Sequence, residues 1–189
     1  MMRIADVHEI IGSLNRSGVK TWVAGGWGVD ALLGTQTRPH DDLDLVLSDA
    51  DRDRVLACLT SFHHDISAAP GMPIRFVLID DIGRAVDIHP VIFDENGNGW
   101  NITDQTNLRY SSEYLAGHGN IGGMNVHCLT VQAQVDHHSG YVNHGPDEFD
   151  YLDMRQLADK FLITLPEEYE QAPGWQHPRR KRLDDKALI

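Results

Sequence analysis

The chain has 189 residues, of which 41% are hydrophobic and 23% charged, a composition typical of one globular domain. Its formal net charge of -12 argues against a general nucleic-acid-binding protein, because such proteins present a basic face. No apolar stretch approaches the ~20 residues of a membrane span, and the first residues lack the apolar run of a secretion signal. Two isolated cysteines, Cys58 and Cys128, favour reduced thiols, so we expect a cytoplasmic protein.

Apolar spacing and turn residues predict helices and strands in alternation along the first part of the chain. The predicted elements are a helix over 4–17, a strand over 21–24, a helix over 26–33, a strand over 43–47 and a helix from 49 to about 62. The double glycine Gly25-Gly26 separates the first strand from the second helix, and Gly34 ends that helix.

Two further strands, over 74–79 and 84–93, form a predicted hairpin around the turn at 80–83. The hairpin argues against a purely parallel sheet, and the whole pattern favours an α+β fold with a mixed β-sheet flanked by helices. The stretch 100–121 gives no regular assignment. The last predicted elements are a strand over 124–129 and helices over about 130–139 and 147–162.

Acidic side chains recur on two of the predicted strands. Successive strand residues point to opposite faces, so Asp42 and Asp44 project from one face while Leu43 projects into the core. The same alternation places Asp87 and His89 on one face of the later strand. If the two strands are neighbours, three carboxylates converge. The alternative is that Asp42 and Asp44 are solvent-facing residues of an edge strand.

Converging carboxylates repel one another unless a cation lies between them. Hard oxygen ligands of this kind suit Mg2+, which keeps open positions for water and substrate phosphates. Two such ions about 4 Å apart can organise an in-line displacement at phosphorus. The sequence therefore predicts a metal site formed by Asp42, Asp44 and Asp87, with Mg2+ as the ion.

Gly25 and Gly26 lie directly after a strand and before a helix. Glycine at this place allows the backbone to approach a phosphate closely, and the helix N-terminus supplies free N–H groups. No Gly-Lys-Ser/Thr follows, so the turn is not a Walker A loop. An ordinary tight turn is the alternative for these two glycines alone.

The combination of these features resembles a known group of enzymes. Residues 25–45, GGWGVDALLGTQTRPHDDLDL, followed by VDIHP at 86–90, are similar to the lincosamide nucleotidyltransferases and the aminoglycoside 2''-nucleotidyltransferases, within the superfamily related to DNA polymerase beta. The resemblance implies the nucleotidyltransferase fold. From the order of the predicted elements and the Pro-rich, charged composition beyond Pro166, we expect a nucleotidyltransferase domain over 1–129, a helical segment over 130–165 packed on it, and a poorly packed charged tail over 166–189.

The resemblance also implies roles for individual residues. Asp42 and Asp44 match the metal-binding pair, and Asp87 matches the third carboxylate, which is the candidate for accepting the proton of the attacking hydroxyl. Gly25 and Gly26 match the loop that holds the triphosphate. Arg38 and His40 match the basic residues before the aspartates, although a structural hydrogen bond is an equal alternative for His40.

Three residues are candidates for the acceptor side of the site. His89 shares a strand face with Asp87, and a structural role at a strand end is its alternative. His138 and Tyr141 are candidates for the acceptor pocket, with a core role as the alternative. The basic cluster Arg179–Arg182 is interpreted as a solvated tail, with a phosphate or nucleic-acid contact as its alternative.

The predicted function is the transfer of AMP from ATP to a hydroxyl of a small antibiotic, with a lincosamide favoured by the His-Pro of VDIHP. Alternatives are an aminoglycoside acceptor, a non-antibiotic acceptor, and a nucleotide-binding module without catalysis. The predicted partners are a nucleoside triphosphate and a small acceptor, without nucleic acid or membrane. The resemblance also favours a homodimer.

Overall fold

The computed structural model describes residues 1–65, 75–102, 107–139 and 148–170. The predictions for Tyr141 and for Arg179–Arg182 therefore lie outside the described residues. The chain divides into two compact units, which we call the first unit (1–130) and the second unit (131–189). Among the described helices, none combines the length and apolar composition that a membrane crossing requires.

Among its described residues, the first unit contains three α-helices and nine strands. The helices are α1 (Ile4–Arg16), α2 (Gly25–Leu33) and α3 (Arg52–Cys58). The strands are β1 (Thr21–Val23), β2 (Asp42–Ser48), β3 (Phe62–His64), β4 (Phe76–Asp80), β5 (Ala85–Phe93), β6 (Gly99–Ile102), β7 (Asn107–Tyr110), β8 (Gly117–Ile121) and β9 (Met124–Cys128).

The strands form one mixed sheet in the order β3-β4-β5-β2-β1-β9-β8, and β6 and β7 extend from β5. The central pair, β2 and β5, is parallel, as is the pair β1 and β9. The hairpins β4–β5 and β8–β9 and the pair β1–β2 are antiparallel. The predicted α+β class and mixed sheet are thus confirmed.

One face of the central strands forms the core of the first unit. Leu43, Leu45 and Leu47 of β2 and Val86 and Ile88 of β5 are fully buried, and they belong to one hydrophobic cluster with α1 and α2. Because strand side chains alternate, burial of these five residues directs the aspartates between them to the opposite face. This confirms the predicted alternation along both strands.

The structure corrects the predicted helix from 49 to about 62. A single 3-10 turn over Asp49–Asp51 precedes α3, and α3 ends at Cys58. Phe62–His64 then pairs with β4 as an edge strand, so pairing with a distant strand outweighs the helical spacing there. Leu56 of α3 is 45% exposed.

The second unit contains α4 (Val131–Ser139), α5 (Glu148–Phe161) and α6 (Glu167–Glu170). The first two lie where helices are predicted. The short helix α6 differs from the expected poor packing beyond Pro166, because Tyr169 is fully buried and its hydroxyl donates to the carbonyl oxygen of His138 at 2.8 Å.

Candidate active site

The pairing of β2 with β5 forms the centre of the candidate site. The two strands are parallel and in a register that places Asp44 directly opposite Asp87 and Val46 opposite His89. Asp42 lies two residues before Asp44 on the same face. The predicted convergence of residues from two distant segments is therefore present, and the register of the parallel ladder produces it.

One compact group of possible metal ligands occurs in the described part of the chain, formed by Asp44, Asp87 and His89. One ligand atom from each lies within 4.8 Å of the others. His89 Nε2 lies 3.5 Å from Oδ1 of Asp44 and 3.8 Å from Oδ1 of Asp87. This group differs from the predicted metal set, because His89 takes the third place and Asp42 lies at the exposed rim.

The pKa values of the acidic residues indicate that the negative charges of the cluster are not fully compensated by nearby positive charge. Although Asp42 as a residue is exposed, lost hydration around its carboxyl, followed by the negative charges of Asp44 and Asp87, raises its pKa to about 6. Burial, with the charge of Asp44, also raises the pKa of Asp87, although His89 and Arg75 act in the opposite direction. Burial alone would lower the pKa of His89, but the carboxylates of Asp44 and Asp87 raise it overall.

Gly25 and Gly26 bring the start of α2 against the acidic strand. Gly25 has a φ of 55°, in the left-handed region, and a Cβ on it would overlap the carboxylate of Asp44. A Cβ on Gly26 would overlap the ring of His40 and lie 2.6 Å from the guanidinium of Arg38. The free N–H groups of a helix start therefore lie beside Asp44 and Arg38.

His40 has a structural hydrogen bond, which was one of the two alternatives from the sequence. It is 3% exposed, and its Nε2 is hydrogen-bonded to Asp30 of α2. Asp30 also accepts hydrogen bonds from the backbone and hydroxyl of Thr37, at 3.0 and 2.7 Å. The His40 ring packs on Trp27 with centroids 4.7 Å apart. These contacts fix the loop that carries Arg38 to the helix that begins at Gly25.

Arg75 is a site residue that the sequence reasoning missed. Its Nη2 lies 3.3 Å from Oδ2 of Asp87, so a cation touches the acidic cluster from the β4 side. The signal was present in the predicted hairpin, since Phe76 pairs with Ile88 and Arg75 directly precedes this pair. A single basic residue before an apolar strand did not by itself indicate a site.

His138 lies in the second unit and is 5% exposed. Its Nδ1 is hydrogen-bonded to the carbonyl oxygen of Gln134 at 2.8 Å, and its Nε2 lies 3.9 Å from Asp150. These contacts show a packed histidine within the helical unit. A contact of His138 with an acceptor stays a prediction, as does that of Tyr141.

The residues present fit a divalent cation. Two carboxylates and an imidazole nitrogen converge, and Oδ1 of Asp87 is buried with no hydrogen-bond partner among the described residues. Lost hydration and neighbouring negative charge raise the pKa of Asp42, and a cation would relieve the repulsion between the charges. Asp44, Asp87 and His89 are the side chains that could hold the ion directly, with Asp42 at the rim.

Comparison with known proteins places this geometry in a family. The family model described as aminoglycoside-2''-adenylyltransferase matches residues 6–157. The chain belongs to this family. It is therefore a nucleotidyltransferase, and the predicted resemblance is confirmed.

Individual relatives agree with this assignment. The lincosamide resistance protein of Staphylococcus haemolyticus is 28% identical over 141 residues, which cover 74% of this chain and 86% of that protein. The crystal structure of the lincosamide antibiotic adenylyltransferase LnuA with lincomycin bound has a TM-score of 0.69 and 26% identity, over 80% of this chain and 93% of that one. The solution structure of ANT(2'')-Ia shares the fold, with a TM-score of 0.66 and 19% identity over 97% and 96%.

Proposed function

We propose that the protein transfers AMP from ATP to a hydroxyl group of a lincosamide such as lincomycin or clindamycin, in a Mg2+-dependent reaction. The observation that carries the proposal is the direct opposition of Asp44 and Asp87 beside the start of α2. The similarity to LnuA, whose crystal structure contains lincomycin, supports the acceptor class.

The proposed reaction is a single displacement at the α-phosphorus of ATP. The acceptor hydroxyl oxygen forms a bond to phosphorus, the bond to the bridging oxygen of the β-phosphate breaks, and pyrophosphate leaves. Asp87 accepts the hydroxyl proton, and the α2 start with Gly25 and Gly26 holds the triphosphate together with Arg38. A predicted pair of Mg2+ ions, held by Asp44 and Asp87 with Asp42 at the rim, would supply charge neutralisation at the phosphates.

Acid–base work at Asp87 is supported by its surroundings. The carboxyl is 6% exposed, and one oxygen, Oδ1, has no hydrogen-bond partner among the described residues. Without a bound cation, burial raises the pKa of Asp87, and an oxygen free of hydrogen bonds within the described residues is available to accept a proton. We propose that His89 stays beside Asp87 and Asp44 and contacts the acceptor from that side.

An aminoglycoside acceptor, modified at its 2''-hydroxyl, is the second candidate. The match to the aminoglycoside-2''-adenylyltransferase model favours it, and the net charge of -12 suits a polycationic drug. An acceptor outside the antibiotics is a third, because relatives with one fold need not share a substrate.

Pyrophosphate release separates these candidates. The purified protein is incubated with ATP or GTP, with and without Mg2+, and with lincomycin, clindamycin, a set of aminoglycosides, or buffer alone. The proposal predicts release that requires ATP, Mg2+ and a lincosamide together. Release only with aminoglycosides selects the second candidate, and no release above the buffer control with any antibiotic contradicts both. Light scattering on the same sample tests the predicted homodimer.

A further inference from the structure

Arg75 approaches the acidic cluster from the strand next to β5. It directly precedes β4, and its Nη2 is 3.3 Å from Oδ2 of Asp87. Val77 pairs with Asp87 in the β4–β5 ladder, so residues 75 and 77 share a face with Asp87 and His89. About a third of the Arg75 side chain, 37%, is exposed.

The two oxygens of Asp87 have different surroundings. Oδ2 is next to Arg75, whereas Oδ1 is buried, has no hydrogen-bond partner among the described residues, and lies 3.8 Å from Nε2 of His89. Nε of Arg75 is also buried without a partner in the described part of the chain. The contact is thus made through one end of the guanidinium and one oxygen, without the two-point fork common in Arg–carboxylate pairs.

We propose that Arg75 is a positioning residue that holds Oδ2 of Asp87 and leaves Oδ1 as the one oxygen presented to the acidic cluster. This inference rests on the proposed function, in which Asp87 serves the transfer reaction. A carboxylate held at one oxygen has a fixed orientation, and a carboxylate released from Arg75 can rotate and offer both oxygens to a cation.

Loss of Arg75 should therefore have two opposite effects. Cation binding becomes tighter, because a positive charge 3.3 Å from a ligand group is removed and a second oxygen is released. The chemical step becomes slower, because Oδ1 is no longer held towards the reacting hydroxyl. General damage to the fold would instead weaken cation binding and turnover together, so the signs distinguish the two explanations.

Mn2+ binding to the metal-free protein, followed by electron paramagnetic resonance without nucleotide or acceptor, measures the first effect. Arg75→Met should bind Mn2+ about fivefold more tightly than the wild type, and Arg75→Lys should lie between them. Arg52→Met is the matched control, because Arg52 is 36% exposed, pairs with Asp49 at 2.8 Å, and packs on Phe76 of β4 away from the cluster. Its Mn2+ affinity should equal that of the wild type.

Steady-state kinetics with the acceptor found in the pyrophosphate screen measure the second effect. Arg75→Met should lower kcat about tenfold or more while the KM for ATP changes less than twofold, and Arg75→Lys should recover part of kcat. Unchanged or weaker Mn2+ binding in Arg75→Met overturns the proposal, and so does an unchanged kcat.

The experiments distinguish failure of the proposed function from failure of the proposal for Arg75. If the wild type releases no pyrophosphate with any acceptor, the proposed function fails, and Mn2+ binding alone decides whether Arg75 restrains Asp87. If Arg75→Met does not fold by circular dichroism, Arg75→Gln takes its place, since glutamine keeps a polar side chain but removes the charge. Tighter Mn2+ binding in Arg75→Gln supports the proposal, and equal or weaker binding overturns it.

Discussion

Two groups of buried carboxylates in the first unit have pKa values that are shifted in opposite directions. Asp6 and Asp80 are 3% and 6% exposed, and Asp87 is 6% exposed, so burial is nearly equal in all three. Yet the pKa values of Asp6 and Asp80 are lowered, whereas that of Asp87 is raised. Low solvent exposure alone therefore does not decide the direction of the shift, and loss of hydration is the largest cause of the raised pKa of Asp87.

Hydrogen-bond donors lower the pKa values of Asp6 and Asp80, whereas Asp87 loses hydration without comparable donors. The side chain of Arg3 donates to both oxygens of Asp6, each at 2.9 Å, and lowers its pKa. Asp80 accepts the backbone N–H groups of Ile82 and Arg84 and the Nε of Arg84, which outweigh its burial. Asp87 has one cation at 3.3 Å and a buried oxygen without a partner among the described residues.

This comparison separates carboxylates that stabilise the fold from carboxylates suited to a ligand. The Asp6–Arg84–Asp80 group is satisfied by protein donors and leaves little for a cation to gain. In the Asp44–Asp87 group the negative charges face one another, and a bound cation would supply the positive charge that the protein does not provide. Each of the following predictions substitutes a residue in or beside one of these two carboxylate groups.

Asp44→Asn should have the largest effect on activity. Removal of one charge from the centre of the cluster should reduce turnover on the order of a thousandfold or more, with an intact circular dichroism spectrum and melting temperature. Asp42→Asn should also abolish turnover. Asp53→Asn, an exposed aspartate of α3, is the control and should turn over normally. Normal turnover in Asp44→Asn would remove the basis of the proposed site.

Gly25→Ala should displace the carboxylate of Asp44, because the added Cβ meets it from the start of α2. Gly34→Ala is the matched control. Both glycines have left-handed φ angles, 55° and 73°, so both variants share a backbone cost of about 1–2 kcal/mol. Only the Cβ on Gly25 meets the Asp44 carboxylate, whereas nothing lies within 4 Å of one on Gly34. We expect about a hundredfold loss of kcat in Gly25→Ala alone. Equal activities in the two variants, measured beside urea unfolding, would argue against close packing at Asp44.

Arg84→Met should destabilise the fold through the Asp6–Arg84–Asp80 group without changing the catalytic rate. Arg84 is 13% exposed and contacts Asp6, Glu9 and Asp80, so its removal leaves buried charge uncompensated at a cost of about 3 kcal/mol at pH 7. Turnover per folded molecule should not change. Arg54→Met, which breaks the more exposed pair with Asp51, should cost less than about 1 kcal/mol in the same urea titration.

The pH dependence of this effect follows from the lowered pKa values of Asp6 and Asp80. A carboxylate whose folded pKa lies below its unfolded pKa of about 3.9 stabilises the fold above that pH. The stabilisation is lost as pH falls through the folded pKa. The difference in the free energy of unfolding between wild type and Arg84→Met should therefore shrink below about pH 4. A difference that grows on acidification would contradict the account.

Asp42→Asn should have the smallest effect on stability, with the opposite sign. The folded pKa of Asp42, about 6, lies above the unfolded value of about 3.9, so ionisation opposes folding as pH rises between them. In metal-free protein the variant should melt above the wild type at pH 8 and equal it at pH 4. A variant that melts below the wild type at pH 8 would show that Asp42 is not repelled by its neighbours.

The sequence alone was sufficient for the central elements and for the face on which the acidic residues lie. Strict alternation predicted that Asp42 and Asp44 of β2 lie opposite its core leucines and that Asp87 and His89 of β5 lie opposite Val86 and Ile88, and the structure confirms this. The register that sets Asp44 against Asp87 could not be read from the sequence, because pairing between distant strands depends on the whole sheet.

Other features depend on contacts between distant segments. β3 has three residues and forms by pairing with β4, so the helical spacing before Phe62 was misleading. Strands β6 to β8 lie in a glycine-containing polar stretch without alternation. His40 and Asp30 are ten residues apart and showed no periodic pattern, so either role remained open until their hydrogen bond was seen. Arg75 gains significance only from its distance to Asp87.

The central claim is that the Asp44–Asp87 cluster binds ATP through a divalent cation. Isothermal titration of ATP, with 5 mM EDTA or on the order of 5 mM Mg2+, into wild type, Asp44→Asn and Asp53→Asn tests it most directly. The account predicts that Mg2+ strengthens ATP binding about tenfold or more in wild type and Asp53→Asn, and that the gain disappears in Asp44→Asn. ATP binding that is equally tight without Mg2+, or a gain retained in Asp44→Asn, would contradict it.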